Sequence, residues 1–535
     1  MLLSLHSFLT INVDQFYGIE IEDFPSQIAQ VALWLIDHQM NQLVSQEFGV
    51  YFARIPLTTS AHIVHGNALQ IDWASVVPPE RLSYIISNPP FVGKQYQSAD
   101  QKADMGRVFD GVNGAGVLDF VTAWYIKAVR YIQGTKIECA FVSTNSITQG
   151  EQVLILWPAL ARLGIRINFA HRTFQWSNEA RGVAAVHCVI IGFSLFDRSA
   201  KTIFEYGDAK GQPHALPARN INAYLVDAPD VFLEKRRSPI CPVPATAFGS
   251  MPNDGGHLLL SETARDELLR AEPAAKKWIR RLAGSEELIN DIPRFCLWLQ
   301  GISPAELRQM PGVMARVEKV REQRRASKRE TTKNLANAPA LFGEIRQPAS
   351  DYLGIPEVSS ENRKYVPIAF LTKDVIATNK LYTVAGATVY HFGVLASAMH
   401  NAWIRSVAGR LKSDFQYSAG IVYNNFPWPE SPTEKETGAI EKAAQSVLDA
   451  RTSFPGSSLA DLYDPLSMPQ SLLKAHEALD RAVDEAYGRR GFTSDAERVA
   501  FLFEFYQRHT TLLPAVARPT RSPRVTPASL RPRRS

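Results

Sequence analysis

Strand-like and helix-like patterns alternate along the first 235 residues, and this alternation restricts the fold more than any other feature. Apolar residues at helical spacing over residues 26–40, with Pro25 near the start, separate the first two strand patterns. The strand patterns lie at residues 16–21, 62–65, 82–87, 140–145 and 189–193. Strands that alternate with helices form sheets with helices packed on their faces, so the sequence predicts an α/β fold with a doubly wound sheet.

The strand at residues 82–87 stops at Asn88, Pro89, Pro90 and Phe91. An asparagine amide oxygen and a carbonyl held still by proline can both accept hydrogen bonds from an exocyclic amino group. These bonds leave electron density on the amino nitrogen, and Phe91 can stack on the same base for roughly 1–3 kcal/mol. The loop therefore predicts methyl transfer to an amino nitrogen, with neither a metal nor a nucleophilic side chain. The alternative is a proline turn with Phe91 packed in the core.

Asn88-Pro89-Pro90-Phe91 resembles the catalytic motif of S-adenosylmethionine-dependent amino-methyltransferases, chiefly the adenine-N6 DNA methyltransferases. The resemblance implies a Rossmann-like sheet, S-adenosylmethionine as the cofactor, and catalytic roles for these four residues. It also implies that Phe174 forms the second aromatic wall of a target-base pocket. Asn-Pro-Pro-Tyr loops also serve protein-glutamine methyltransferases, but those lack a large carboxyl-terminal recognition domain, and this chain has Phe91 instead of tyrosine.

The same resemblance implies where the cofactor binds. Glu20, with Ile21 beside it, is expected to accept hydrogen bonds from the ribose hydroxyls at the end of the first strand. Asn67 and Ala68 correspond to the positions that meet the cofactor adenine, where an aspartate is common in the family and Asp72 is the alternative. Asp119 opens the helix that resembles the family's cofactor-side helix.

The Asp-Pro-x-x-Gly-x-Gly type of loop with which the family binds its cofactor is missing ahead of residue 16. The glycine-rich residues 111–116 do not replace it, because a loop of this kind works only between a strand and a helix. We therefore expect the sequence to be the carboxyl-terminal part of a larger enzyme or a truncated product, with an upstream polypeptide as one source of the missing loop.

Shifts in composition divide the chain. We predict a methyltransferase domain at residues 1–235, a proline-rich linker at 236–256, a mixed α+β target-recognition domain at 257–430, a helical segment at 431–510 and a disordered basic tail at 511–535. Residues 316–333 hold eight basic and three acidic side chains and read as a long exposed helix. This helix either follows DNA phosphates or is a solvated helix with internal ion pairs.

Residues 403–405 and 409–418 resemble the target-recognition domain of single-chain type II restriction-modification enzymes of the MmeI family. Lys412 can donate to guanine and Asp414 can accept from the opposite cytosine, so on an extended segment the two could read one G·C pair. The alternative is a mutually neutralising pair on a surface loop. We predict that Arg405 and Arg410 contact phosphates, which position the DNA without specifying its sequence. Full-length relatives also carry an endonuclease domain that has no counterpart here, so we expect no DNA cleavage.

A formal net charge of +5 permits double-stranded DNA as the partner. No apolar run is long enough to cross a membrane and no signal peptide is recognisable, which indicates a cytoplasmic protein. Four scattered cysteines form neither a zinc-ligand pattern nor a disulfide framework. Together these features predict a site-specific adenine-N6 DNA methyltransferase; the alternative is a catalytically inactive DNA-binding fragment of such an enzyme.

Overall fold

The computed structural model describes residues 11–49, 60–176, 186–206 and 211–512. Its strands are β1 Tyr17–Glu20, β2 His62–His65, β3 Tyr84–Ser87, β4 Glu138–Thr144, β5 Arg166–Trp176, β6 Val186–Ser194, β7 Lys201–Tyr206, β8 Pro213–Ala218, β9 Thr246–Phe248, β10 Leu259–Ser261, β11 Ile279–Ala283, β12 Arg294–Leu297, β13 Tyr352–Pro356, β14 Val358–Ser359, β15 Ala369–Leu371, β16 Ile376–Ala377, β17 Leu381–Ala385, β18 Gly409–Leu411 and β19 Asp414–Gln416. Its helices are α1 Asp23–Phe48, α2 Trp73–Val76, α3 Ala99–Val108, α4 Thr122–Tyr131, α5 Gly150–Arg162, α6 Glu262–Ala271, α7 Ser285–Asn290, α8 Pro304–Arg308, α9 Pro311–Arg325, α10 Glu330–Asn334, α11 Val389–Ala396, α12 Ala398–Val407, α13 Glu434–Thr452, α14 Leu459–Leu462, α15 Gln470–Ala486 and α16 Asp495–Leu512. The predicted basic tail beyond residue 512 and the start of the chain before residue 11 lie outside the described residues.

The amino-terminal part has the predicted α/β fold. A six-stranded sheet has the order β3-β4-β6-β5-β7-β8, with β3 parallel to β4 and β6 antiparallel to both of its neighbours. Strand β4 alternates between buried and half-buried residues, and its Phe141 packs between Tyr125 of α4 and Phe193 of β6. β1 and β2 pair in parallel as a separate two-stranded sheet, so the single predicted sheet is divided in two. The glycine-rich residues 111–116 follow α3 and not a strand, as the sequence predicted.

A second hydrophobic core is formed by residues 258–342 together with Ile376 of β16. Leu258, Leu297, Val313 and Val320 are among its fully buried members, and the strands β10, β12, β11 and β16 form its sheet. Most buried apolar side chains of residues 353–428 instead pack in the same core as the amino-terminal sheet and the carboxyl-terminal helices. Within the predicted linker, β9 pairs with β17, which ties these residues into a sheet. The strand-like apolar residues 365–371 form a strand only over β15.

The prediction of one long exposed basic helix at residues 316–333 is wrong. Helix α9 ends at Arg325 and α10 begins at Glu330. One face of α9 is buried through Val313, Val317 and Val320, because these residues recur at helical spacing opposite the second core. The side chain of Arg324 continues that buried face.

The carboxyl-terminal helices predicted from the sequence are observed as α13, α15 and α16. Asp480 on α15 connects them to the preceding region, because its carboxylate accepts from the Tyr365 hydroxyl at 2.7 Å and from the Ala398 amide at 2.7 Å. Burial raises the pKa of Asp480 to about 6. No helix among the described residues has the length and apolarity needed to cross a membrane.

We expect the Asp480→Asn variant to gain stability relative to the wild type as pH rises from about 4 to about 6. The folded protein holds the Asp480 proton up to about pH 6, whereas the unfolded chain releases it near pH 4, so unfolding releases a proton in this window and the wild-type free energy of unfolding falls. The relative change should be about 3 kcal/mol. Urea unfolding across this pH range measures it, with the exposed Asp449→Asn as a control that should follow the wild type.

Candidate functional site

The predicted catalytic loop lies at the carboxyl end of β3. The side chain of Asn88 is exposed, Pro89 is buried, and Phe91 is half-buried against the main core. Within the described part of the chain, no side chain forms a hydrogen bond with the Asn88 carboxamide. The loop after Asn88 is anchored to the segment that precedes α4, because the Val92 carbonyl accepts from the Phe120 amide at 2.9 Å. Asn88 therefore presents an exposed acceptor on an anchored loop.

Strand register brings the end of β4 and Phe174, the predicted stacking residue, to the same end of the sheet. Thr144 of β4 is paired with Cys188 of β6, and Cys188 is paired with Phe174 of β5. Because β3, β4 and β5 run in the same direction, Asn88 and Phe174 lie at one edge, about 15 Å apart at three strand spacings. Both residues therefore border the same end of the sheet.

Further aromatic rings surround Phe174, and the sequence did not indicate them. The Tyr206 ring of β7 stacks on Phe174 with centroids 5.3 Å apart, and Trp176 lies 6.1 Å from it. The Tyr206 hydroxyl also contacts Nδ1 of His171 at 2.8 Å, and burial lowers the pKa of His171. The alternation of β5 could have indicated a shared face for Phe174 and Trp176, but nothing in the sequence indicates the register shift between His171 and Phe174 or pairs Phe174 with Tyr206.

Asp119 contacts the end of β4. Its Oδ2 accepts from the Ser146 hydroxyl at 2.5 Å and lies 3.5 Å from the Thr144 hydroxyl, and its backbone amide donates to Gln152 at 3.1 Å. A Cβ at Gly93 would lie 3.7 Å from Asp119 Oδ1. The structure therefore places Asp119 beside the catalytic loop, with Ser146 as a partner that the sequence did not reveal.

Glu20 and Ile21 lie where the first parallel strand pair ends. The Glu20 carboxylate accepts from the Glu22 amide at 3.1 Å, and its carbonyl accepts from the Gly66 amide at 2.7 Å. The Ile21 side chain is exposed, and its carbonyl lies 3.1 Å from Nε2 of His65. The two predicted cofactor residues are thus adjacent to the turn that leads to Asn67.

Asn67 is already bound within the protein. Its amide nitrogen donates to Asp104 at 2.8 Å and its amide oxygen accepts from the Leu69 backbone at 2.9 Å. Burial raises the pKa of Asp104, but hydrogen bonds from Asn67, Gln70 and Arg107 outweigh this effect and lower it below the usual value. The carboxylate beside Asn67 is therefore that of Asp104 in α3, a residue that the sequence did not indicate. Asp72, the predicted alternative, caps α2 at the Ala74 amide.

A cavity of about 660 Å³ separates β1 from β3. Tyr17, Gly18 and Ile19 of β1 line one side, and residues 83–87 line the other. Ala68, which accepts from the indole of Trp73 at 2.9 Å, also lines it, together with Trp124. Among the described strands, β1 pairs only with β2 and β3 only with β4. We call this cavity the strand slot.

Residues 409–416, which include the predicted base contacts Lys412 and Asp414, form a hairpin and not the predicted extended segment. Strands β18 and β19 pair in antiparallel fashion, and Lys412 lies in the turn between them with a φ of 57°. Lys412 is exposed, whereas Asp414 is half-buried and its carboxylate accepts from the Glu361 amide at 3.4 Å. The two side chains therefore differ in exposure and do not follow the same-side spacing of an extended chain.

Arg405 and Arg410 are bound within the protein, which argues against the predicted phosphate contacts. Arg405 donates to Asp495 at 2.7 Å and to the Lys364 carbonyl at 2.9 Å. Arg410 lies over the Phe415 ring at 4.0 Å. It donates to Gln149 at 3.1 Å, to Glu361 at 3.0 Å and to the Ser413 carbonyl at 2.6 Å. Arg410 thus joins the hairpin to the start of α5, and Glu361 extends this network to His187 of β6 at 3.8 Å.

Close packing of the start of α5 against β18, next to the Arg410 contacts, requires a glycine at position 150. A Cβ at Gly150 would lie 2.9 Å from the Gly409 Cα, and Gly150 has a φ of +59°. We expect Gly150→Ala to lower the free energy of unfolding by about 1–3 kcal/mol more than Gly164→Ala. Gly164 is the matched control because its φ is +88° and its Cβ would meet nothing within 4 Å. Parallel denaturant unfolding of the two variants measures the difference, and equal losses would show that the contact with Gly409 is dispensable.

Comparison with known proteins defines the class of this α/β protein. Residues 2–205 match the profile described as the MmeI DNA-methyltransferase domain, residues 227–430 match the MmeI target recognition domain, and residues 432–514 match the MmeI C-terminal domain. The structure of the Type IIL restriction-modification enzyme MmeI in complex with DNA superimposes with a TM-score of 0.82 at 53% identity, covering 96% of this chain and 68% of that one. The chain therefore belongs to the MmeI family.

A curated relative gives a second comparison. DNA methyltransferase A of Bacillus subtilis (strain 168) is 38% identical over 504 residues. The match covers 94% of this chain and 56% of the relative, so the chain spans little more than half of the relative's length.

Proposed function

We propose that this chain is the base-binding and DNA-recognising part of a restriction-modification methyltransferase that modifies adenine N6 in duplex DNA. The observation that carries the proposal is the alignment of Asn88 and Phe174 at one edge of the sheet. MmeI family membership supports it, as does the DNA in the complex of the related enzyme. Its DNA substrate would place the protein in the cytoplasm.

The proposed chemistry follows from the exposed loop. An adenine turned out of the duplex, at a cost of a few kcal/mol, enters the space between Phe91 and Phe174. The Asn88 amide oxygen and the Pro89 carbonyl accept from its amino group, while Pro90 limits the loop's freedom. S-adenosylmethionine, when bound, would supply the methyl group. The contribution of this chain is to orient the amino nitrogen, which is the main requirement of a transfer governed by positioning.

The residues proposed for the cofactor form one side of a site. Glu20, Ile21, Asn67 and Ala68 lie on the β1–β2 side, and Asp119 lies on the β3–β4 side. Between the two sides is the open strand slot, and the Asn67 amide is occupied by Asp104 and Leu69. The described residues therefore fit the cofactor incompletely.

The open slot favours a second candidate function, namely DNA binding without methyl transfer by this chain alone. Transfer of tritiated methyl groups from S-adenosylmethionine to duplex DNA distinguishes the two. Incorporation into adenine supports the first proposal. Salt-dependent DNA binding without incorporation supports the second candidate function, because phosphate contacts give salt-dependent affinity whether or not a methyl group is transferred. Absence of both would contradict both proposals.

We propose Lys412 and Asp414 as base contacts. Lys412 is exposed at the tip of the hairpin, and Arg410 holds that hairpin against the catalytic part. Exchanging the two residues, Lys412→Asp with Asp414→Lys, should alter the preferred DNA sequence at one G·C position by about 1–3 kcal/mol of discrimination. Binding to a library of randomised duplexes measures the preference. An unchanged preference would reject the assignment, and Lys373→Asp is a charge control on an exposed lysine elsewhere.

A further inference from the structure

We infer that Tyr96, on the turn that follows the catalytic loop, inserts its ring into duplex DNA and stacks on the base that the flipped adenine leaves unpaired. This role rests on the proposed function, because only a flipped adenine leaves such a base. The turn comprises residues 93–96, and we call it the Tyr96 turn. It is closed by a hydrogen bond from the Tyr96 amide to the Gly93 carbonyl at 2.8 Å.

The Tyr96 turn is anchored on both sides to the segment that precedes α4. Ahead of the turn, the Val92 carbonyl accepts from the Phe120 amide at 2.9 Å. Behind it, the side chain of Gln97 is buried and donates to the Leu118 carbonyl at 3.0 Å. Because both anchors reach the same short segment, the turn loses little further conformational freedom when its tip binds a ligand.

The anchored turn holds the ring of Tyr96 in solvent. The Tyr96 side chain is 77% exposed and belongs to none of the three hydrophobic cores of the described residues. Lys94, in the same turn, is also exposed. A cation and an aromatic ring are the two groups with which proteins bind a nucleic-acid phosphate and the face of a base. The turn therefore presents both groups on a fixed backbone.

The position of the Tyr96 turn relates it to the DNA. A Cβ at Gly93 would lie 3.7 Å from Asp119 Oδ1, and Asp119 accepts from the Ser146 hydroxyl at 2.5 Å. Gly150, on the same stretch of chain as Ser146, packs against Gly409 of the recognition hairpin. The Tyr96 turn and the hairpin therefore both border the end of the sheet at which we propose that the flipped adenine binds.

The surroundings of the ring favour a base over a protein as its partner. Protein partners bind contiguous apolar patches, whereas the exposed neighbours of Tyr96 in the chain, Lys94, Gln95 and Ser98, are polar. A flipped adenine leaves its partner base unpaired and a gap in the stack, and an aromatic ring in that gap replaces the lost stacking. Because Tyr96 is exposed and Phe91 is half-buried, Tyr96 is suited to the open duplex and Phe91 to the enclosed base pocket.

Equilibrium binding to a duplex that the wild-type chain selects from a randomised library provides the first part of the test. Tyr96→Ala should weaken binding roughly 5- to 150-fold, the loss that corresponds to one base–aromatic stack. Tyr96→Phe keeps the ring and should bind within about twofold of the wild type. Phe48→Ala is the matched control, because Phe48 is an aromatic residue 64% exposed at the last position of α1, and it should bind like the wild type.

An abasic scan of the selected duplex identifies the stacked base. Each thymine in turn is replaced by an abasic residue, and the affinities of the wild type and Tyr96→Ala are compared. At the thymine on which Tyr96 stacks, the two proteins should bind equally, because the base is already missing. 2-Aminopurine in place of the opposite adenine should become brighter on binding, because its fluorescence rises when it leaves the base stack.

Several results would overturn the role of Tyr96. Equal affinities of the wild type and Tyr96→Ala would do so and would leave the proposed function standing. An equal loss in Tyr96→Phe would assign the contact to the hydroxyl group, and an affinity ratio that persists at every abasic position would exclude stacking on a thymine. Unchanged 2-aminopurine emission would show that no position is vacated. A brighter 2-aminopurine without methyl transfer would support the role of Tyr96 and count against the proposed function.

Discussion

Replacing Asn88 with alanine should reduce methyl transfer to DNA by about 100-fold or more while leaving DNA affinity within about twofold. The side chain is exposed on an anchored loop, and no described side chain forms a hydrogen bond with it, so its removal should not disturb the fold. Losing one hydrogen-bonding group that acts on the reacting atoms costs about 2.7 kcal/mol or more in the transition state. Tritium incorporation and equilibrium DNA binding, measured on the same preparation, give the two values.

Two further variants sharpen this test. Asn88→Asp keeps an acceptor oxygen and should retain more transfer than the alanine variant. Asn113→Ala removes an exposed asparagine from the glycine-rich segment after α3 and should leave transfer unchanged. The assay compares each variant with the wild-type chain on the same duplex DNA. An equal loss of transfer and DNA binding in Asn88→Ala would contradict the proposed role.

Replacing Arg324 with methionine should lower the free energy of unfolding of the second core by at least about 4 kcal/mol. The residue is 1% exposed, and its guanidinium donates to five backbone carbonyls at 2.7–3.0 Å. Those carbonyls belong to Pro252, Asn253, Leu335, Ala338 and Leu341. Methionine keeps much of the apolar stem but leaves several acceptors unsatisfied, at about 1–3 kcal/mol for each group that stays buried.

Arg325 is the matched control, because it neighbours Arg324 on α9 and is exposed. Arg325→Met should change the free energy of unfolding by less than about 0.5 kcal/mol. Denaturant unfolding followed by tryptophan fluorescence reports on this core, since Trp278 and Trp298 pack against it. Similar stability of the two variants would show that solvent replaces the guanidinium without a large cost.

Several elements followed from the sequence because their patterns depend on near neighbours. Strand β2 has the predicted bounds, and β1 and β3 lie within the predicted segments. Helix α1 extends beyond its predicted range at both ends, from Asp23 to Phe48, because the chosen apolar positions defined only its middle. The position of Asn88 after a strand was also predicted, because a proline pair ends a strand wherever it occurs.

Charged residues were the weakest part of the prediction. Arg324 and Arg325 are chemically identical in the sequence, yet one is buried and the other exposed. The difference comes from carbonyl groups up to 72 positions away, which no local pattern contains. Arg410 likewise meets Gln149, which lies 261 positions earlier in the chain. Lys412 was assigned to an extended segment because hairpin turns with a left-handed non-glycine residue have no strong sequence signal.

The sequence by itself determined the α/β alternation, the asparagine-proline loop at a strand end and the family, because these depend on spacing along the chain. Only the tertiary structure decided that the first strand pair stands apart from the main sheet, which arginines are buried and how the recognition hairpin contacts α5. The strand slot belongs to this second group. It is defined by the two edges of β1 and β3 that face one cavity, and strand pairing across space is not encoded in either segment alone.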